Sequence, residues 1–125
     1  MTASHSSLGR DFAYALLSKD WTRLAGLLDD EIDFRGLTPG RPWEATNAKD
    51  LIETVFAEWL EPTDDVYEIL EVATDQIADR QRVVYRFRVR NPDDDYLCEQ
   101  TAYFDEADGK IERLRILCTG FLPTR

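Results

Sequence analysis

Apolar residues recur along this chain with two periods, and the change of period divides it. In the first half the spacing is helical. Leu8, Phe12, Ala15, Leu16 and Lys19 lie at helix spacing, widened by Ala13 and Leu17. This predicts a helix from residue 7, with residues 1–6 as a flexible polar tail and 7–125 as a single domain. Asp20 reads as an N-cap for a second helix over 21–28, with Trp21, Leu24, Leu27 and Leu28 apolar. Residues 31–36 then alternate, Ile32 and Phe34 against Asp33 and Arg35, as a short strand does. The segment GLTPGRP (36–42) reads as a loop. Asn47 caps a third helix whose face carries Ile52, Val55, Phe56, Trp59 and Leu60, and Pro62 ends it near residue 60.

From residue 66 onward the period is two. Residues 66–90 form a hairpin with its turn near Asp79 and Arg80. In the expected register Val72 faces Phe87 and Thr74 faces Tyr85, so Glu68, Leu70, Val72, Thr74, Val83, Tyr85, Phe87 and Val89 share one side. Residues 96–121 form a second hairpin around Asp108 and Gly109. A three-residue loop with a bulge at Gly109 would set Glu106 opposite Lys110, Thr101 opposite Arg115 and Cys98 opposite Cys118. Cys98, Gln100, Ala102, Phe104, Leu114, Ile116 and Cys118 then line its apolar face. Three helices followed by four long antiparallel strands predict an α+β fold, with the helices packed in a curved, mainly antiparallel sheet.

Composition narrows the partners. At 125 residues the chain is long enough for one real core, and 43% hydrophobic with 32% charged residues is a globular balance. A formal net charge of −10 argues against nucleic acid and against anionic membrane surfaces. No apolar run approaches a membrane span, and the start lacks a secretory signal, so a cytoplasmic protein is expected. Two cysteines make neither a disulfide framework nor a metal site, and buried free thiols are expected of them. The one histidine, His5, stands in the expected tail. Nucleophile elbow, phosphate loop, dinucleotide glycines and paired metal histidines are missing, so no metal or cofactor is expected.

The stretches DWTRLAGLLDDEIDFRG, PWEATNAKDLIETVFAEWL and EQTAYFDEADGKIERLRILCTGF, in this element order, resemble the SnoaL-like members of the nuclear transport factor 2-like superfamily. The resemblance implies an α+β cone with a pocket at its open end. It implies no single activity, because isomerases, cyclases, dehydratases, epoxide hydrolases and binding proteins share that cone. The ketosteroid isomerase positions for base, oxyanion tyrosine and neutral carboxylic acid fall on Arg35, Phe12 and Gln100, and of these only the Gln100 amide keeps a role. The epoxide hydrolase aspartate of the final strand falls on Ile116.

The inward polar residues are the candidate site. Gln100, Tyr85 and Glu68 are the candidate catalytic groups, with Glu68 as the inner-face carboxylate and Asp33 behind it. Tyr14, Phe34, Trp43, Phe56, Trp59, Phe87, Cys98 and Cys118 are the candidate ligand-binding residues of an apolar pocket. The expected function is binding of a small hydrophobic metabolite in an apolar pocket, without catalysis or with a chemistry the sequence does not assign. The alternative is a cofactor-independent isomerase, cyclase or hydrolase of a polyketide-like or terpenoid-like molecule. The outer sheet face, with Arg86, Arg88, Glu99, Tyr103, Arg113 and Arg115, is the expected homodimer interface, and Glu71 and Glu99 are expected to pair there with Arg88 and Arg115.

Overall fold

A computed structural model describes residues 4–124, with side chains from residue 8 onward. The first helix, α1 (Ser4–Leu17), starts before the expected residue 7; residues 1–3 of the expected tail lie outside the described residues. Helix α2 (Trp21–Leu27) is capped by Asp20, whose carboxylate accepts the Arg23 N–H at 3.2 Å. The third helix, α3 (48–59), is capped by Asn47, whose side chain accepts the Asp50 N–H at 2.8 Å. Its middle, Leu51–Phe56, is a π-helix. That wider turn brings residues five apart onto one face. Leu51 and Phe56, five apart in this segment, are both fully buried.

Seven strands form one sheet: β1 (Leu28–Thr38), β2 (Arg41–Ala45), β3 (Asp65–Ile77), β4 (Arg80–Arg90), β5 (Asp95–Ala107), β6 (Lys110–Cys118) and β7 (Leu122–Pro123). The order is β2-β1-β6-β5-β4-β3, with β7 pairing β5. Only β1 and β6 run parallel. The first strand is longer than expected, and the expected loop at 36–42 is largely strand. Pro39 and Gly40 (φ 77°) make a tight turn, so that Thr38 faces Arg41 in a hairpin. Pro42 is tolerated because β2 is an edge strand.

The last hairpin differs from its expected register in two places. Asp108 and Gly109 both have positive φ, 54° and 78°, and form a two-residue turn with Ala107 opposite Lys110. The bulge lies further along, where Glu112 is skipped between the pairs Glu106–Ile111 and Asp105–Arg113. Each feature shifts the register by one residue. The sum is two, so every side chain keeps its face: Gln100 rather than Cys98 stands opposite Cys118, yet both point inward.

The β3–β4 hairpin differs more consequentially. Its turn is Ala78 and Asp79, and Val72 faces Tyr85. Bulges at Leu70 and at Tyr67 then interrupt β3. Between them the alternation is inverted. Ile69 pairs with buried Phe87, while Glu68 pairs with Arg88 on the outer face. The expected pairs of Glu71 with Arg88 and Glu99 with Arg115 are replaced as well. Arg88 meets Glu68 at 3.2 Å, Arg86 meets Glu99 at 2.7 Å and Arg115 meets Asp33 at 3.3 Å. These are exposed pairs, each worth at most about 1 kcal/mol.

The core lies between the helices and the inner sheet face. Phe12, Leu16, Phe34, Phe56, Tyr85, Phe87, Phe104, Leu114 and Ile116 are all 1% exposed or less, which fixes the sheet face that the helices cover. Edge-to-face aromatic contacts link α1, α3, β1 and β4, from Tyr85 through Phe12 and Phe56 to Phe34.

Candidate functional site: a thiol and amide cavity

A cavity of about 160 Å³ opens where the C-terminal ends of α1 and α3 meet the start of β5 and the end of β6. Leu16, Trp59, Leu60, Phe121 and Gly120 supply most of its wall, and Gln100, Cys118 and Thr38 are its polar members. The local sequence builds each side. Lys19, in the left-handed region at φ 58°, donates from Nζ to the Glu61 carbonyl at 2.6 Å and to the Asp64 carbonyl, tying the end of α1 to the turn after α3. Asp64 is buried; its carboxylate accepts the Glu61 N–H at 2.9 Å and the Asn91 amide at 3.0 Å. At the other side, Gly120 (φ 78°) packs so close to Pro39 that a Cβ would stand 2.9 Å from its ring. The missing side chain of Gly36, on the inner face of β1, leaves room for the Trp59 indole, 3.1 Å from where a Cβ would be.

Gln100 is the polar centre. It is 5% exposed and hydrogen-bonded on both sides of its amide. The Tyr85 hydroxyl donates to its Oε1 at 2.7 Å, and its Nε2 donates to Cys118 Sγ at 3.2 Å. The Gly120 N–H also donates to Cys118 Sγ, at 3.3 Å, and Cys98 Sγ lies 3.7 Å away. These donors give the two thiols opposite characters. The Cys98 S–H, then the Gln100 amide and the Gly120 N–H, favour the Cys118 thiolate and hold its pKa well below the ordinary thiol value against the cost of burial. Cys98, as the donor of that pair and buried, is pushed far upward. Burial, followed by the neighbouring sulfurs, keeps Tyr85 neutral.

The candidate residues therefore divide. Gln100, Tyr85, Cys98 and Cys118 come together, and Trp59 joins them as a wall. Phe34, Phe56 and Phe87 are closed core residues away from the cavity surface. Trp43 stands behind Trp59, its ring 5.9 Å away and its indole N–H donating to Thr38 at 2.8 Å. Tyr14 is on the exposed side of α1, 39% exposed, because it falls off the stripe set by Phe12, Ala15 and Leu16. Glu68 is excluded by the β3 bulges, and Asp33 faces outward to Arg115. No carboxylate, imidazole or cationic side chain lines the cavity among the described residues, and no cluster of three metal-ligating side chains occurs among them. Leu16, Leu60, Thr38, Gly120 and Phe121 are lining residues that were not singled out from the sequence. Gly36 carried the one readable signal, a glycine ending an alternating run.

One buried polar atom among the described residues has no partner: the Trp59 indole nitrogen. It belongs to a cavity-lining side chain. An unpartnered buried donor is costly.

No family model matches the chain, and no curated protein matches it in sequence. Solved structures do. A candidate isomerase from Bacillus subtilis aligns over 94% of this chain and 87% of its own, with TM-score 0.77 at 15% identity. An NTF2-like protein from Burkholderia thailandensis E264 aligns over 90% and 88%, with TM-score 0.71 at 16% identity. An LEH-like epoxide hydrolase from M. tuberculosis aligns over 93% and 83%, with TM-score 0.67 at 13% identity. At these identities the likeness concerns the fold, and the chain has the nuclear transport factor 2-like α+β cone fold.

Proposed function

We propose that this is a SnoaL-like binding protein for a compact, mostly apolar molecule bearing one hydrogen-bond acceptor, such as a single-ring ketone. The observation that carries the reading is the Gln100 amide at the wall of an otherwise apolar cavity. Its carbonyl is taken by Tyr85 and one amide hydrogen by Cys118, so the second amide hydrogen is the donor left for a ligand acceptor. The volume supports the size. A dry cavity of roughly 150 Å³ accommodates a benzene-sized molecule, and this one is about 160 Å³.

Among the described residues no carboxylate or imidazole lines the cavity, which favours binding over proton-transfer catalysis, since that needs such a group within hydrogen-bond reach. The enzyme names carried by some structural neighbours support a small-molecule use of the cone and leave the chemistry open. Calorimetric titration with cyclohexanone tests the reading. Saturable one-to-one binding is expected, lost in Leu60→Phe, where the larger side chain fills the cavity. Equal heats for both proteins would refute it.

A further inference from the structure

We propose that Cys118 is a nucleophile that captures a soft carbon electrophile, an α,β-unsaturated carbonyl compound, bound in the cavity. The inference deepens the reading above and rests on it. It makes covalent adduct formation a property of the same site.

Three features converge on this thiol. Cys118 lines the ligand cavity beside Gln100, Trp59 and Gly120, so an occupant of that cavity lies against it. Its Sγ accepts from the Gln100 Nε2 and the Gly120 N–H and lies 3.7 Å from Cys98 Sγ, an arrangement that a neutral structural cysteine does not need. Cys98, 3.7 Å away and fully buried, keeps its proton and stands beside the nucleophile as the neutral member of the pair. The groups facing Cys118 from the other elements are the neutral Tyr85 on β4 and the uncharged Leu16, Thr38, Trp59 and Leu60. No ammonium or guanidinium borders the cavity among the described residues, so the donors described are what stabilise the thiolate. Burial and these donors act in opposite directions, and the donors prevail.

The step balances without a further reagent. The Cys118 sulfur forms a bond to the β-carbon of the unsaturated carbonyl compound, and the carbon–carbon π pair moves to give an enolate. The enolate oxygen is served by the free amide hydrogen of Gln100. The α-carbon takes a proton from water at the open mouth of the cavity, leaving hydroxide to solvent. The product is a thioether, and reversal of the same steps releases the ligand.

Cyclohex-2-en-1-one is the probe, since its single ring matches the cavity. The reduced protein is incubated with it near neutral pH and followed by intact mass and peptide mapping. One adduct per chain is expected, on Cys118, formed about tenfold faster than in the same chain unfolded in urea. Saturated cyclohexanone is expected to slow it by competition. Cys118→Ser is expected to abolish the adduct; Cys98→Ser is expected to keep it on Cys118, with the pH midpoint of the rate moved upward. An adduct on Cys98, or a rate equal to that of the unfolded chain, overturns the proposal. Cyclohexanone binding without any enone adduct overturns it too and leaves the binding reading standing. Neither binding nor adduct overturns both.

Discussion

Tyr85→Phe and Gln100→Leu test one buried hydrogen bond from its two ends. Either change leaves a fully enclosed polar group without its partner, which costs about 1–3 kcal/mol, and both side chains are at most 5% exposed. Each variant is expected to lower the urea midpoint, and the double variant to lose less than the sum, because the two share the bond that is removed. Additive losses would contradict the pairing. The two thiols give a pH signature. The depressed Cys118 contributes stability that is complete above the ordinary thiol pKa and is lost as pH falls through its own lowered value. The raised Cys98 does the reverse: its contribution is complete below the ordinary thiol value and is lost as pH rises beyond it. Urea midpoints of the reduced protein should therefore climb with pH toward the ordinary thiol range and decline above it. Cys118→Ala should remove the climb, and a climb unchanged in that variant would refute the thiolate.

Among the elements, the ones that set the cavity are those whose geometry departs from a plain period. A strict alternation is readable from residue types, and it placed Gln100, Cys98, Cys118 and Tyr85 on the inner face. It also tolerated an error in the last hairpin, where turn and bulge offset the register by two and returned each side chain to its side. The same alternation failed at Glu68, because two bulges in β3 leave no mark in residue type and invert a stretch of two residues between them. The π-helical turn in α3 was equally silent, since nothing in the residues 51–56 departs from an ordinary amphipathic helix. The lining residues Leu16 and Leu60 carry no chemistry that would single them out; only the meeting of two helix ends does so. Gly36→Ala makes this testable. Its Cβ would stand 2.7 Å from the Phe34 ring and 3.1 Å from Trp59, and the indole is the neighbour that borders the cavity. Overpacking of this kind costs about 1–3 kcal/mol. A lowered melting temperature together with weakened cyclohexanone binding is expected, and unchanged binding would show that Trp59 does not shape the site.

At the scale of the whole molecule, the two faces of the sheet have separate tasks. The inner face is closed by helices and ends in the cavity. The outer face carries Arg86, Arg88 and Arg115 paired to Glu99, Glu68 and Asp33, with Leu117 and Leu37 exposed beside them, 55% and 49%. We propose that a second copy docks on this face, where arginine and exposed leucine suit a two-fold contact. Light scattering at micromolar concentration should give twice the 14.5 kDa chain mass, and a single-chain mass would refute the dimer. Among the described residues no helix is long and apolar enough to cross a membrane. The cavity remains the claim on which the functional account turns, and a methyl and indole NMR titration with cyclohexanone tests it most directly. Saturable shifts confined to the Leu16 and Leu60 methyl groups and the Trp59 indole N–H are expected, all with one binding constant. Shifts that stay linear with concentration, or that fall on the outer face while these three signals stand still, would contradict it.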